Sequence, residues 1–274
     1  IQLGAASLGN LAAGMLPLFF ATLFGIGRES AWARRAALAC GLPIMLFSMI
    51  PIYLIREEWK PVNIRRWVEG IENYGRIGML ALTEGLVGLG LGFSAPFFNI
   101  FFDQNVKAST AQIGLIFALG SIMTAVVTLF IPIVVRRLGR VRTVTFVKLL
   151  GIPCLILLGM SHSIIWAGAF YIVTILLIGG AFPNKGISDP IYTLFAMEVV
   201  KERERGTTNG IMHAFVEFPM GIGAALAGPF MAVGDWQTPY MIGGGIFAVA
   251  FILYYLYFVR IDGREPVLQP AAAS

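Results

Sequence analysis

Charge is what this sequence has least of. Of its 274 residues only 13% are Asp, Glu, Lys or Arg, against 57% hydrophobic side chains, whereas a soluble globular domain carries roughly 25% charged residues. The mean hydropathy is accordingly high, at +0.79. So thin a polar coat excludes a cytosolic enzyme, a disordered segment and a nucleic-acid module. The net charge of +5 does not rescue nucleic-acid binding, because the basic residues punctuate apolar runs instead of forming one solvated face. Cysteine and histidine are scarce too, with two of each. Cys40 and Cys154 sit inside apolar runs and read as small hydrophobic side chains, and such scattered pairs make no zinc site. No metal and no cofactor is therefore expected. The sequence also lacks the phosphate loop G-x-x-x-x-G-K-[ST] and the nucleophile elbow G-x-S-x-G, which argues against ATP as the energy source and against serine hydrolysis.

What the chain has instead is long apolar runs. A bilayer core requires about 20 apolar residues per helix, and eight runs qualify: 1–26, 33–55, 77–102, 110–135, 142–160, 164–199, 207–232 and 238–259. None alternates with period two, so they predict helices and not an outer-membrane barrel. Backbone in lipid must satisfy its own hydrogen bonds, which leaves a polytopic all-α bundle as the architecture. Run 164–199 is too long for one straight crossing, and Gly179, Gly180 and Pro183 are the expected break. Lys and Arg divide unequally between the connections: 14 fall in 56–76, 136–142, 201–205 and the C-terminal tail, and four on the other side. The positive-inside rule then places the first set and the C-terminus in the cytoplasm, although Arg28, Arg34 and Arg35 run against it. Residues 56–76 read as an amphipathic surface helix or a linker, with a partner site the lesser option. The tail from Glu265 to Ser274 is Pro/Ala-rich and reads as disordered.

The small-residue pattern Gly9-Asn10-Leu11-Ala12-Ala13-Gly14 can be laid on Gly223-Ala224-Ala225-Leu226-Ala227-Gly228. Trp32 precedes Arg56 by the same 24 residues that separate Trp236 from Arg260. Matching pairs six spans apart point to a duplicated six-helix unit, the arrangement of paired transporter halves.

At these residues the sequence resembles the major facilitator superfamily. That family carries a G-x-x-x-D-R-x-G-R-R signature between the second and third helices of each half. Here Pro132-Ile133-Val134-Val135-Arg136-Arg137-Leu138-Gly139-Arg140-Val141 occupies the second-half position, with Arg137, Gly139 and Arg140 matching and Arg136 standing where the family has Asp. Ser94-Ala95-Pro96-Phe97-Phe98-Asn99 is similar to the family's seventh helix, and Glu204-Arg205-Gly206 with Asn209-Gly210 to the entry of its eleventh. Gly9 to Gly14 resembles the glycine-rich fifth helix of its antiporters. The resemblance implies helices five to twelve of a twelve-helix protein. Residues 1–55 would be the last two helices of the N-terminal half, 56–76 the cytoplasmic linker, 77–260 the C-terminal six-helix half and 261–274 a cytoplasmic tail. Because the chain opens at Ile1, inside an apolar stretch and without a signal peptide, four missing N-terminal helices are expected. It further implies a multi-pass protein of the plasma (inner) membrane that moves a small-molecule substrate by alternating access, with export slightly favoured. Arg137, Gly139 and Arg140 would form a cytoplasmic gate loop.

A charge in hydrocarbon costs about 3 kcal/mol or more, so each intramembrane ionisable residue is a functional candidate. Glu84, Asp189 and Glu217 fall at similar depths on three spans and are expected to line one cavity. Burial favours a neutral carboxyl, which makes these acids candidates for carrying a coupling proton. Glu84 shares a helical stripe with Gly88, Leu91, Ala95 and Asn99, which reads as a cavity wall; the alternative is an interfacial Glu84 paired with Arg76. His213 and Glu217, four apart, make either a proton relay or a self-satisfied structural pair. Lys185 and Asp189 are also four apart, beside Asn184, and either neutralise each other or leave Lys185 to hold an anionic group. Asn99, Asn184 and Lys185 are thus the substrate-cavity candidates. The rival functions are a non-transporting membrane sensor or assembly protein, and an intramembrane enzyme built on His213, Glu217 and Glu84.

Overall fold

The computed structural model describes residues 2–25, 72–179 and 186–262, together with individual helical residues between 32 and 50. Regular structure among them is helical throughout. Helix α1 is Gln2–Phe24. Helix α2, Tyr74–Gly92, continues through one 3-10 turn at Ala95–Phe97, where Pro96 removes a backbone donor, and a π-helical turn at Phe101–Asn105. Then follow α3, Thr110–Thr128, and its short continuation α4, Ile131–Leu138. Helices α5, Arg140–Gly159, and α6, Ile164–Leu177, come next. The series closes with α7, Asp189–Glu198; α8, Arg205–Ala232; and α9, Gln237–Asp262. Among the described residues, five helical stretches are long and apolar enough to cross a membrane, at 74–105, 110–128, 140–159, 202–232 and 237–262; Ala12–Phe24 and Ile164–Leu177 are apolar but shorter.

Neighbouring helices pack in a continuous series. Helix α1 packs on α3, α3 on α6, α6 on α5, α5 on α9, α9 on α2 and α2 on α8, with α7 set against α5 and α8. Lipid offers no hydrophobic drive between helices, so close van der Waals packing through small residues must supply the adhesion. The α2–α8 seam does this with glycine: a Cβ added at Gly88 would collide with the Val216 carbonyl, one at Gly92 with the Met220 carbonyl, and one at Gly223 with the Leu89 carbonyl. The α1–α3 contact is built likewise, since a Cβ on Gly14 would lie 2.9 Å from the Gly114 Cα. Large side chains such as Leu150, Ile165 and Phe218 are exposed on the outside of the bundle, as a lipid-facing surface requires.

Aromatic clusters fix the two ends of the bundle. At one end Phe98 and Phe102 pack edge-on against Tyr171, which stacks on Phe117, while Phe101 meets Trp236. At the other, Tyr192 and Phe195 of α7 sit against Tyr254 and Phe258 of α9. Two helix starts, those of α3 and α9, are capped by side chains. Ser109 and Gln112 form a capping box at α3, and the Asp235 carboxylate accepts the Thr238 N–H at 3.0 Å before α9. That bond holds the Asp235 carboxyl below the usual carboxylate range. Its contribution to α9 is therefore present above that range and fades as the pH falls through it.

Glu204, the first residue of the Glu204-Arg205-Gly206 motif, has a capping role that the motif alone did not indicate. Only 2% exposed, its carboxylate accepts the backbone N–H groups of Glu72 (2.5 Å), Asn73 (3.2 Å) and Lys201 (3.0 Å) and the Asn73 side-chain amide (2.9 Å). It thereby ties the start of α2 to the turn that enters α8. Glu72 pairs with Lys201 and Arg203 beside it, and the Arg76 guanidinium donates to the Val199 carbonyl at 2.7 Å. Charged hydrogen bonds contribute about 1.5–3 kcal/mol each, and buried donors left without a partner cost more. Glu204→Ala is therefore expected to destabilise the protein by about 3 kcal/mol, read as a drop in the thermal midpoint in detergent, and Glu204→Gln by less.

Candidate functional site

The break in run 164–199 is where the site begins. Helix α6 stops at Leu177; Gly179 follows with φ of +90°, a conformation glycine adopts at no steric cost. Gly186 lies against this turn so closely that an added Cβ would be 3.0 Å from the Gly179 nitrogen. Gly180, Pro183, Asn184 and Lys185 lie outside the described residues. The new helix α7 opens with Asp189, whose negative charge suits a helix N-terminus.

Asp189 is held by two other segments of the chain. Its Oδ1 pairs with the Nζ of Lys148 on α5 at 2.6 Å, and its Oδ2 accepts the Gly186 N–H at 2.5 Å. Lys148 is 4% exposed. It also donates to the Ile178 carbonyl at 2.5 Å, and its ammonium lies 5.9 Å from the centre of the Phe251 ring. One ammonium thus bridges the carbonyl end of α6 and the acid that opens α7. Among the described residues Lys148 is the ion-pair partner of Asp189; the expected partner Lys185 lies outside them. An isolated Lys buried at this depth would be costly, and the contacts with Asp189, a carbonyl and a ring face compensate it.

These elements enclose a cavity of about 230 Å³. Glu84, Val87 and Leu91 reach it from α2, Lys148 from α5, Asp189, Tyr192 and Thr193 from α7, and Asn209, Met212, His213, Val216, Glu217 and Met220 from α8. Glu84, Asp189, His213 and Glu217 thus share one wall system. Glu84 faces the cavity while Arg76 serves the Val199 carbonyl. Gly88, expected on the same stripe as Glu84, turns instead into the α2–α8 seam. Ala95 is buried and Asn99 exposed, both beyond the end of α2 and outside the lining. His213 and Glu217 are exposed on the open side of α8, and among the described residues no hydrogen bond joins them.

The loop after α4 is built around Gly139, at φ +82° and ψ +167°. The Val141 N–H that follows donates to the Asp262 carboxylate at 3.0 Å, and a Cβ on Gly139 would lie 3.0 Å from that same carboxylate. Arg140 pairs with Glu198 at the end of α7; Arg137 is exposed. Arg136 stands where an acid was expected, but two acids from distant segments, Glu198 and Asp262, meet this loop. Only glycine tolerates this backbone region, at a cost of about 1–3 kcal/mol to other residues. Gly139→Leu is therefore expected to lower stability by about that amount, measured by thermal unfolding, with Arg140→Ala leaving the loop backbone in place.

A multi-helix membrane bundle with an acidic cavity open along α8 and a basic glycine loop at one end defines a class. Residues 80–273 match the Major Facilitator Superfamily, and the chain belongs to that family. Together with its apolar helices, this makes it a multi-pass membrane protein. Among its relatives is the uncharacterized MFS-type transporter YhhS of Escherichia coli strain K12, 25% identical over 200 residues that cover 73% of this chain and 46% of that protein. The YhhS proteins of Escherichia coli O157:H7 and Salmonella typhimurium strain LT2 match over the same shares at 26% and 25% identity. The chain spans about half the length of the curated relatives it matches.

Proposed function

We propose that the chain belongs to a secondary transporter that moves a small solute across the membrane by alternating access, driven by a proton gradient. The observation that carries this reading is the convergence of Glu84, Asp189, His213 and Glu217 on one cavity. Asp189 is already engaged by Lys148 and the Gly186 N–H, so Glu217, with His213 one turn away, is the first choice for the proton, and Glu84 the second. The apolar Val87, Leu91, Met212, Val216 and Met220 between the charged groups give a solute contacts that pocket walls commonly supply.

In this reading residues 1–55 close the first half, 56–76 link it to the second, and 77–260 form that second half, with the C-terminus in the cytoplasm of a plasma-membrane protein. The packing of α1 on α3 supports an interface between halves. Export is preferred over import because of the antiporter-like Gly9–Gly14 segment. The test is accumulation by the full-length protein in proteoliposomes under an imposed pH gradient, screened over sugars, amino acids, organic acids and amphipathic amines. At least one solute is expected to accumulate and to be released by a protonophore. If no solute class moves, the non-transporting scaffold is the better reading.

A further inference from the structure

We infer that Lys148 is a positioning residue that transmits events in the cavity to the Arg140 end of the bundle, by holding α7 as one of two rungs between that helix and α5. The inference rests on the transport reading only for its purpose; the mechanical link stands on geometry. On α5, Arg140 and Lys148 are eight positions apart, and on α7 Glu198 and Asp189 are nine apart. At 1.5 Å per residue these intervals are about 12 and 14 Å, so the rungs Lys148–Asp189 and Arg140–Glu198 match in spacing across two antiparallel segments. Helix α7 is ten residues long, short enough to move as a rigid piece. It is preceded by the interruption after Leu177 and followed by a turn at Val199–Lys201.

On its other side α7 is seated by rings, Tyr192 on Tyr254 and Phe195 on Phe258. Ring contacts constrain register weakly, whereas a buried ion pair broken on one side leaves an uncompensated charge. The two rungs therefore set where α7 sits on that aromatic bed. Only the Asp189 rung touches the cavity. A charged cargo group that draws on Asp189 or on Lys148 loosens that rung, and α7 carries the displacement to Glu198 and so to the Arg140 loop.

The reporter belongs at the far end, where a purely local effect of Lys148 does not reach. Met197→Cys is introduced into a cysteine-free full-length protein, and the rate of its labelling by a membrane-impermeant maleimide is followed in detergent. Lys148→Met is expected to change that rate about tenfold, within the ordinary range of coupling between sites, while Lys148→Arg stays within about twofold of the parent. Asp189→Asn, which spares the Lys148 bond to Ile178, is expected to reproduce Lys148→Met and serves in its place if that variant does not fold. The combined Lys148→Asp and Asp189→Lys exchange is expected to return the rate toward the parent. Unchanged labelling in Asp189→Asn or in folded Lys148→Met, with the thermal midpoint preserved, overturns the inference. Because no solute is involved, a coupled Met197 signal in a protein that transports nothing refutes the transport reading alone.

Discussion

Gly88→Ala and Gly92→Ala are each expected to prevent assembly of the bundle, while Gly78→Ala and Gly85→Ala in the same helix are tolerated. All four changes add one methyl group to α2. Alanine is the better helix former by about 1 kcal/mol, so propensity alone would favour every one of them. What separates them is the neighbour. At Gly88 and Gly92 the new Cβ meets backbone of α8, which cannot rotate away. At Gly85 the nearest atom is a Phe215 ring carbon at 3.6 Å, and at Gly78 nothing lies within 4 Å. Overpacking typically costs 1–3 kcal/mol where side chains can shift; against fixed backbone the cost is expected to exceed about 3 kcal/mol. Glu84 lies on one side of this seam and His213 and Glu217 on the other, so parting it also opens the cavity wall. Yield of monodisperse protein from membranes, with thermal midpoints for what survives, checks the series. Equal behaviour of Gly85→Ala and Gly88→Ala would contradict the packing.

Glu217→Gln is expected to abolish gradient-driven accumulation by the full-length protein while sparing exchange of solute down its own gradient. Glutamine keeps the size and hydrogen-bonding capacity of the protonated acid but has no proton to exchange. The residue is exposed on the open side of α8 and shares the cavity with His213. Loss of exchange together with accumulation would instead mark Glu217 as a solute contact. Retention of both would move the proton to Glu84. Asp189→Asn is expected to impair both activities, because its carboxylate completes the Lys148 contact. His213→Gln is expected to shift the pH dependence of accumulation without ending it.

Much of the helical layout was legible in the sequence, because twenty-residue apolar runs have few alternatives in a bilayer. The break in run 164–199 was legible for the same reason: its length exceeded one crossing, and Gly179 stood at the right place. Runs 74–105 and 202–232 begin a few residues before the expected starts, where the buried Glu204 carboxylate accepts the backbone N–H groups of Glu72, Asn73 and Lys201. Polar partnerships across helices were the part that spacing did not reveal. Periodicity pairs a residue with its own helix, so it proposes Lys185, outside the described residues, for Asp189, and does not reveal Lys148, 41 positions away. Glu198 and Asp262 were invisible as loop partners for the same reason. Of the stripe through Glu84, Leu91 shares the cavity lining, while Gly88, Ala95 and Asn99 do not. Glu84, Val87 and Leu91 face the cavity, and Gly88 faces α8, a distinction that depends on where the neighbouring helix sits.

The most direct measurement is proton movement driven by solute alone. Full-length protein is reconstituted into liposomes that trap a pH-sensitive dye, the membrane potential is clamped, and a gradient of a transported solute is imposed with no pH difference at the start. The cavity chemistry predicts an internal pH change that begins with solute addition, scales with the solute gradient and disappears in Glu217→Gln. Solute flux at the parent rate with no pH change would contradict it.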